Sequence, residues 1–319
     1  MSKVTLEKKK LSYYKIYEQL FDDPWIPVYH IAQNTSLSRN TVSSYMEEMY
    51  QQKILTGPML KIKTASDYRE YVYLLNFEDP ISVFQGLQDF PHVLYHALTF
   101  GTWNTLIITD MMLDFSQLLG YQQCIMRGMI YSCSLPKPHY IPWKEAFKKI
   151  NDTLLHIEVK KESSSMGKTR YLNWKADEWK LFHAFAPDVR KKVTPLLKTL
   201  KVAYDSYWNW RCNLKNSCAC ILGFYPEGYS SYTNHSFLLS SQHVSVLSSL
   251  ISFFPVTTQI LEIDNRLLIT IPVPSSDIAR SIFCTIYDLK IKHIIHSVSH
   301  AQIIRECSHN PISLINDID

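Results

Sequence analysis

Leu37-Ser38-Arg39-Asn40-Thr41-Val42-Ser43-Ser44-Tyr45-Met46 reads as the start of an α-helix. Ser38 is a good N-cap, because its hydroxyl can accept from the free backbone N–H groups of the first turn. Val42, Tyr45, Met46 and Met49 recur at helical spacing and form the buried stripe of a helix over Ser38–Gln52. Working outward, Tyr14, Ile16, Tyr17, Leu20 and Phe21 form a second stripe, which Asp22-Asp23-Pro24 ends. Val28, Ile31 and Ala32 mark a short helix between the two. Lengths and spacing fit a trihelical helix-turn-helix.

The pattern recurs about 165 residues later. Tyr14, Ile16, Tyr17 and Leu20 fall on Trp179, Leu181, Phe182 and Phe185. Val28 and Ile31 fall on Val193 and Leu196, while Leu37, Val42, Tyr45 and Met49 fall on Val202, Tyr207, Trp210 and Leu214. No gap is needed, so the reading is an internal duplication, with a diverged second helix at Tyr204–Leu214.

Strands are expected at Met59–Lys63 and Tyr68–Phe77, then a helix at Pro80–Gln88 and strands at His92–Phe100 and Thr105–Thr109. A helix over Phe115–Met126 and a strand over Met129–Ser134 follow. In the second half the expected elements are Cys218–Phe224 (strand), Ser241–Phe254 (helix), Thr257–Ile263 and Leu267–Ile271 (strands), Asp277–Leu289 (helix) and Ile291–Val298 (strand). The expected fold class is α+β, a tandem repeat of winged helix-turn-helix followed by a ferredoxin-like βαββαβ unit. The expected units are 1–66, 67–136, a polar linker over 137–176 with an exposed loop at Lys160–Lys168, a second diverged helix-turn-helix over 177–216, and 217–319.

Composition narrows the function. The 319 residues are 46% hydrophobic and 19% charged, enough apolar mass for real cores. Eight glycines occur, with neither GxGxxG nor GxxxxGK[ST], which argues against nucleotide-phosphate loops. The N-terminal MSKVTLEKKK has no apolar signal core, no stretch is long enough for a membrane span, and the seven cysteines are scattered. A cytoplasmic location with reduced thiols is therefore expected. The net charge of +4 is uneven. Residues 1–63 hold nine Lys/Arg against six Asp/Glu, and residues 144–216 hold sixteen against eight, leaving the rest net acidic. Basic stretches suit a phosphate backbone.

In a helix-turn-helix the N-terminal end of the third helix meets base edges in the major groove. Ser38, Arg39, Asn40, Thr41, Ser43 and Ser44 occupy that end. Arg suits a guanine edge, Asn an adenine edge, and Ser or Thr phosphate or either edge. Lys61 and Lys63 would sit on the wing, against phosphate. In the second copy Asp205 and the aromatic Tyr204 and Trp208 suit base readout poorly. Arg190, Lys191, Lys192, Lys198 and Lys201 just before that helix are candidate phosphate contacts.

Ile31-Ala32, Leu37-Ser38-Arg39-Asn40-Thr41-Val42 and Gly101-Thr102-Trp103-Asn104-Thr105-Leu106 together resemble the Lrp/AsnC family of transcription regulators. The resemblance implies a sequence-specific regulator of transcription that binds double-stranded DNA, with a small-molecule effector held by the ferredoxin-like units. It also implies pairing of those units, here within one chain, with further homodimerisation open. Gly101, Asn104 and Asn265, at the hairpins, are the candidate effector positions. Asn104 stands where the family hairpin often has Asp. Siroheme decarboxylases resemble the same plan, so a tetrapyrrole enzyme is the alternative, with His96 placed to serve it. However, residues 92–108 carry no Arg for the propionates. A winged-helix protein-interaction adaptor is a third reading. No catalytic residue, cofactor or metal is expected. His293, His296 and His300 do not share one face of a strand, Cys212, Cys218 and Cys220 lack paired C-x-x-C spacing, and His92 and His96, before a strand, are read as having no acidic partner nearby.

Overall fold

In the computed structural model, which describes residues 5–156 and 171–309, the chain opens with α1 (Leu6–Asp22), α2 (Val28–Thr35) and α3 (Arg39–Gln51). Thr5 caps α1 by accepting from Lys8 N–H, and Ser38 caps α3 by accepting from Thr41 N–H. Between α2 and α3 the chain turns through Ser36, at φ 58°. Val42, Met46 and Met49 of α3 are buried against Ile16, Tyr17 and Leu20 of α1 and Ile31 of α2.

There follow β1 (Leu55–Ile62), β2 (Glu70–Phe77), α4 (Pro80–Gly86), β3 (Val93–Gly101), β4 (Thr105–Thr109), a 3-10 turn at Phe115–Gln117 and β5 (Tyr121–Ser134). Then come α5 (Trp143–His156) and a second trihelical set, α6 (Ala176–Phe185), α7 (Val193–Leu200) and α8 (Tyr204–Ser217). Its turn passes through Lys201 at φ 54°, much like that at Ser36. The chain continues through β6 (Cys218–Phe224), a 3-10 turn at Tyr229–Ser231, β7 (Thr233–Ser240), α9 (Val244–Ser252), β8 (Gln259–Ile263), β9 (Arg266–Val273), α10 (Ser276–Ile291) and β10 (Ser297–Ser308).

The expected tandem of separate winged and ferredoxin-like units is not what forms. Eight strands close into one antiparallel barrel, in the order β10-β3-β4-β2-β5-β8-β9-β7. Two seams join the halves of the chain. β5 pairs with β8 from Ile130↔Ile263 to Ser134↔Ile260, and β3 pairs with β10 from Gly101↔Ala301 to Tyr95↔Ser308. The physical reason is the edge problem. Each four-stranded set alone would expose two rows of unpaired N–H and C=O groups, and closure removes them. An apolar cluster drawn from all eight strands, including Val72, Leu74, Trp103, Leu106, Ile263 and Leu268, fills the barrel interior. The outward faces of β7, β8 and β9 are covered by α5, α9 and α10. The outer faces of β2 and β4, by contrast, are covered by little more than α4 and the turn at Phe115.

The first wing is also replaced. β1 does not pair back within its own half but runs antiparallel to β6, from Leu55↔Phe224 to Ile62↔Cys218. The two strands also exchange cores. Leu222 and Phe224 of β6 pack into the α1–α3 cluster, with Phe224 stacked on Tyr17 at 4.9 Å, while Leu60 and Ile62 of β1 pack into the α6–α8 cluster.

Four further expectations are corrected. The helix expected over Phe115–Met126 is a single 3-10 turn that runs into β5. Gly120, at φ 76°, turns the chain, and ladders with β2 and β8 then claim the residues after it. β7 went unread, because Asn234, His235 and Ser236 interrupt its apolar alternation although Asn234 and Ser236 are buried. The strand expected at Ile291–Val298 begins only at Ser297, since α10 runs on to Ile291. The stretch read as a polar linker contains α5, whose Ala146, Ile150 and Leu154 are buried against the α9–α10 layer. The loop expected at Lys160–Lys168 lies outside the described residues.

Candidate nucleic-acid interface

The start of α3 presents a polar, short-chained surface. Arg39, Asn40, Ser43 and Ser44 are exposed, while Val42 and Met46 on the opposite face are buried. Ser38 and Thr41 are committed to the helix end. Ser38 Oγ accepts from Thr41 N at 3.1 Å and lies 2.8 Å from Thr41 Oγ1. The Arg39 guanidinium lies over the ring of Tyr29 on α2, 5.8 Å from its centroid, which restricts where its fork can point. Tyr29, which is 46% exposed, belongs to this surface although nothing in the sequence pattern marks it. Two contacts hold the three helices in place. Lys9 Nζ donates to Glu48 at 2.6 Å, and that hydrogen bond holds the Glu48 carboxyl below its ordinary range. Asn34 Nδ2 donates to Gln19 Oε1 at 2.6 Å.

The expected wing lysines are placed differently from one another. Lys61 is turned into an ion pair with the buried Glu70 of β2, and its strand pairs with β6 rather than projecting as a free wing. Lys63, just after β1, is exposed and donates to Lys215 O of α8 at 2.7 Å. A cavity of about 200 Å³ lies beside the Lys61–Glu70 pair, lined also by Thr64, Tyr131, Ser132 and Cys133. Its lining comes from stretches far apart in the chain, so sequence spacing could not have shown it.

In the second trihelical set the basic residues divide. Arg190 Nη1 donates to Pro24 O at 2.9 Å and Ile26 O at 3.0 Å, so it clamps the α1–α2 turn of the first set. Lys191 Nζ donates to Ala184 O at 2.9 Å. Lys192, Lys198 and Lys201 are exposed. On α8, Tyr204, Asp205, Trp208 and Asn209 are exposed, and Ala203 offers no capping side chain where Ser38 does in the first set. The Arg211 guanidinium, absent from the sequence-based set, lies 5.3 Å from the ring centroid of Trp25 and 5.8 Å from that of Trp208.

Of the three hairpin positions, Asn104 and Gly101 lie in close backbone contacts. Asn104 accepts from Phe77 N at 3.0 Å and donates to Phe77 O at 2.7 Å, and its own backbone N–H donates to Asn76 Oδ1 at 2.9 Å. Its side-chain groups are therefore occupied in stitching β4 to the end of β2. Gly101 has φ 149°, and a Cβ there would lie 2.4 Å from His300 O. Asn265 sits at the exposed tip of the β8–β9 turn, far along the chain from both.

No helix among the described residues is long and apolar enough to cross a membrane. No family model matches the chain, and no curated protein matches it. Among solved structures it is similar to AsnC of E. coli, at 15% identity and a TM-score of 0.32 over 38% of this chain and 91% of that one. It is also similar to the siroheme decarboxylase NirDL, at 10% identity and a TM-score of 0.46 over 92% of this chain and 91% of that one. The same decarboxylase in co-complex with an iron-uroporphyrin III analogue gives 10% identity and a TM-score of 0.45, covering 92% of each chain. Likeness at these levels assigns no activity to this chain.

Proposed function

We propose that the chain binds double-stranded DNA through the α2–α3 helix-turn-helix and acts as a transcription regulator. The observation that carries this reading is the start of α3, where an Arg, an Asn and two Ser are exposed on a helix whose other face is fully packed. Short polar side chains let a helix approach the floor of the major groove, and Arg and Asn match purine edges. The α6–α8 set contributes exposed lysines more than base-reading side chains, so it serves the phosphate backbone. The two sets are joined through β1–β6, which makes the reader one arm of an asymmetric pair.

Selection of bound fragments from the host genome, followed by anisotropy titration of the recovered site, tests the reading. The Arg39→Ala/Asn40→Ala double variant is expected to lose at least tenfold in specific affinity, from one or two lost base contacts, with its melting temperature unchanged. Trp208→Ala is expected to keep specific binding. Absence of any DNA affinity at low salt, where the phosphate term is largest, would reject the proposal. A shifted visible absorption band on haem addition, together with that absence, would replace it with tetrapyrrole chemistry.

A further inference from the structure

The seam between β3 and β10 brings together three metal-ligating side chains far apart in the sequence. Cys307 on β10 is the direct antiparallel partner of His96 on β3. Side chains of directly opposed residues lie on the same face of a sheet. His309 follows two residues after Cys307, and in extended chain that spacing returns a side chain to the same face. Its backbone N–H still donates to Leu94 O at 2.9 Å, so the chain is held against β3 to this point. One ligand atom from each of His96, Cys307 and His309 lies within 4.8 Å of the others.

The hydrogen bonding orients the histidines for coordination. His96 Nε2 lies 3.0 Å from Phe84 O, so that nitrogen carries the proton and donates to the carbonyl. The lone pair is then on Nδ1, which faces His309 Nε2 at 2.8 Å. A backbone carbonyl that holds the remote ring N–H is the arrangement that fixes a metal-binding tautomer. Zinc bonds of about 2.0–2.1 Å to nitrogen and 2.3 Å to sulfur in a tetrahedron place two nitrogens and one sulfur roughly 3.3–3.6 Å apart. The two imidazoles, 2.8 Å apart, need to part by about half an ångström, and the thiol, within 4.8 Å, needs to close by at most roughly 1.2 Å.

We propose that His96 Nδ1, Cys307 Sγ and His309 Nε2 form a binding site for a borderline divalent ion such as Zn²⁺, clasping the last strand of the barrel to the first half of the chain. One sulfur with two imidazoles selects such an ion over Mg²⁺ or Ca²⁺, which prefer oxygen. Three protein ligands leave the fourth position to water. On binding, Cys307 gives up its thiol proton to solvent and His309 moves its ring proton from Nε2 to Nδ1, so one proton is released per ion. The site stands apart from α3, and its test is independent of the DNA reading.

The full chain, reduced and freed of metal by chelation, is titrated with ZnCl₂ by calorimetry and with CoCl₂ by absorption. One equivalent is expected to bind, with a thiolate-to-cobalt charge-transfer band and the strong visible bands of four-coordinate cobalt. Cys307→Ser and His309→Ala, at partly exposed positions at the end of the described chain, are each expected to weaken binding at least tenfold and to lose the charge-transfer band or shift the visible bands, respectively. Their metal-free melting temperatures are expected to match the parent, which separates loss of the site from loss of the fold. Cys212→Ser, on α8, is expected to bind as the parent does. Failure of the parent to take up one equivalent, or uptake that survives both Cys307→Ser and His309→Ala, would overturn the proposal.

Discussion

At the scale of single residues, the sharpest constraint is Gly101. It has a positive φ and lies so close to the β10 backbone that a Cβ would meet both His300 O and Ala301 Cα. Gly101→Ala is therefore expected to cost about 1–3 kcal/mol, the range for a strained backbone position, read as a lower urea midpoint. Lys61→Met leaves Glu70 buried without its cation. The side chains are 24% and 6% exposed, so the loss is expected to fall between the surface and fully buried limits, roughly 2 kcal/mol. The Lys61→Met/Glu70→Gln double variant is expected to recover most of it, and equal losses in single and double variants would speak against the pair. Histidines set the acid limit. Burial lowers both His96 and His300 from 6.5 to about 4. Folded values below unfolded ones mean that this contribution is complete above pH 6.5 and is lost as pH falls through about 4. Thermal melts across that interval should show a falling melting temperature, with a shallower slope for His300→Gln; identical slopes would remove His300 as a cause.

At the scale of elements, the helices of the two trihelical sets were readable, whereas α5 and several strands were not. The stripe Val42, Met46, Met49 and the cap at Ser38 are local signals, and α3 forms where they place it. β7 and β5 depend on partners distant in sequence, so their residues need not alternate cleanly, and periodicity alone missed the first and misread the start of the second. The same divide runs through the site residues. The exposure of Arg39 and Asn40 follows from helical spacing, whereas the binding of Arg190 to the α1–α2 turn follows from packing between the two helical sets. The exchange of strands between cores adds a prediction of its own. Phe224→Ala removes a buried ring from the α1–α3 core, although it lies in the other half of the chain. It is expected to cost about 3–5 kcal/mol by denaturant unfolding and, on the proposed DNA-binding reading, to weaken binding through α3 at temperatures near the melt. A fragment of residues 1–66 lacks that ring and Leu222, and is expected to show no cooperative thermal transition by circular dichroism.

At the scale of the whole molecule, closure of the barrel unites the halves. Each contributes four strands, and both seams lie between halves. Separately expressed halves would expose those edges and are expected to aggregate, while co-expression restores a soluble one-to-one complex. Soluble monomeric halves would show that the seams matter little. A recurring apolar spacing was visible in the sequence, but the pairing of the two halves was not, because register between distant strands leaves no spacing signal within either one. The barrel's coat is also uneven: Leu119 is 96% exposed and Phe100 78% exposed on the first half, where α4 and a single turn stand in for the longer helices of the second.

The crossing of β1 and β6 also bears on how such a chain changes over time. Tyr17 and Phe224 share one stack although they belong to different halves. A substitution that enlarges or shrinks either ring creates a misfit that its distant partner is placed to relieve. The two halves are therefore bound to drift in step at these positions, and pairs such as 17 with 224 should covary as relatives of this chain accumulate.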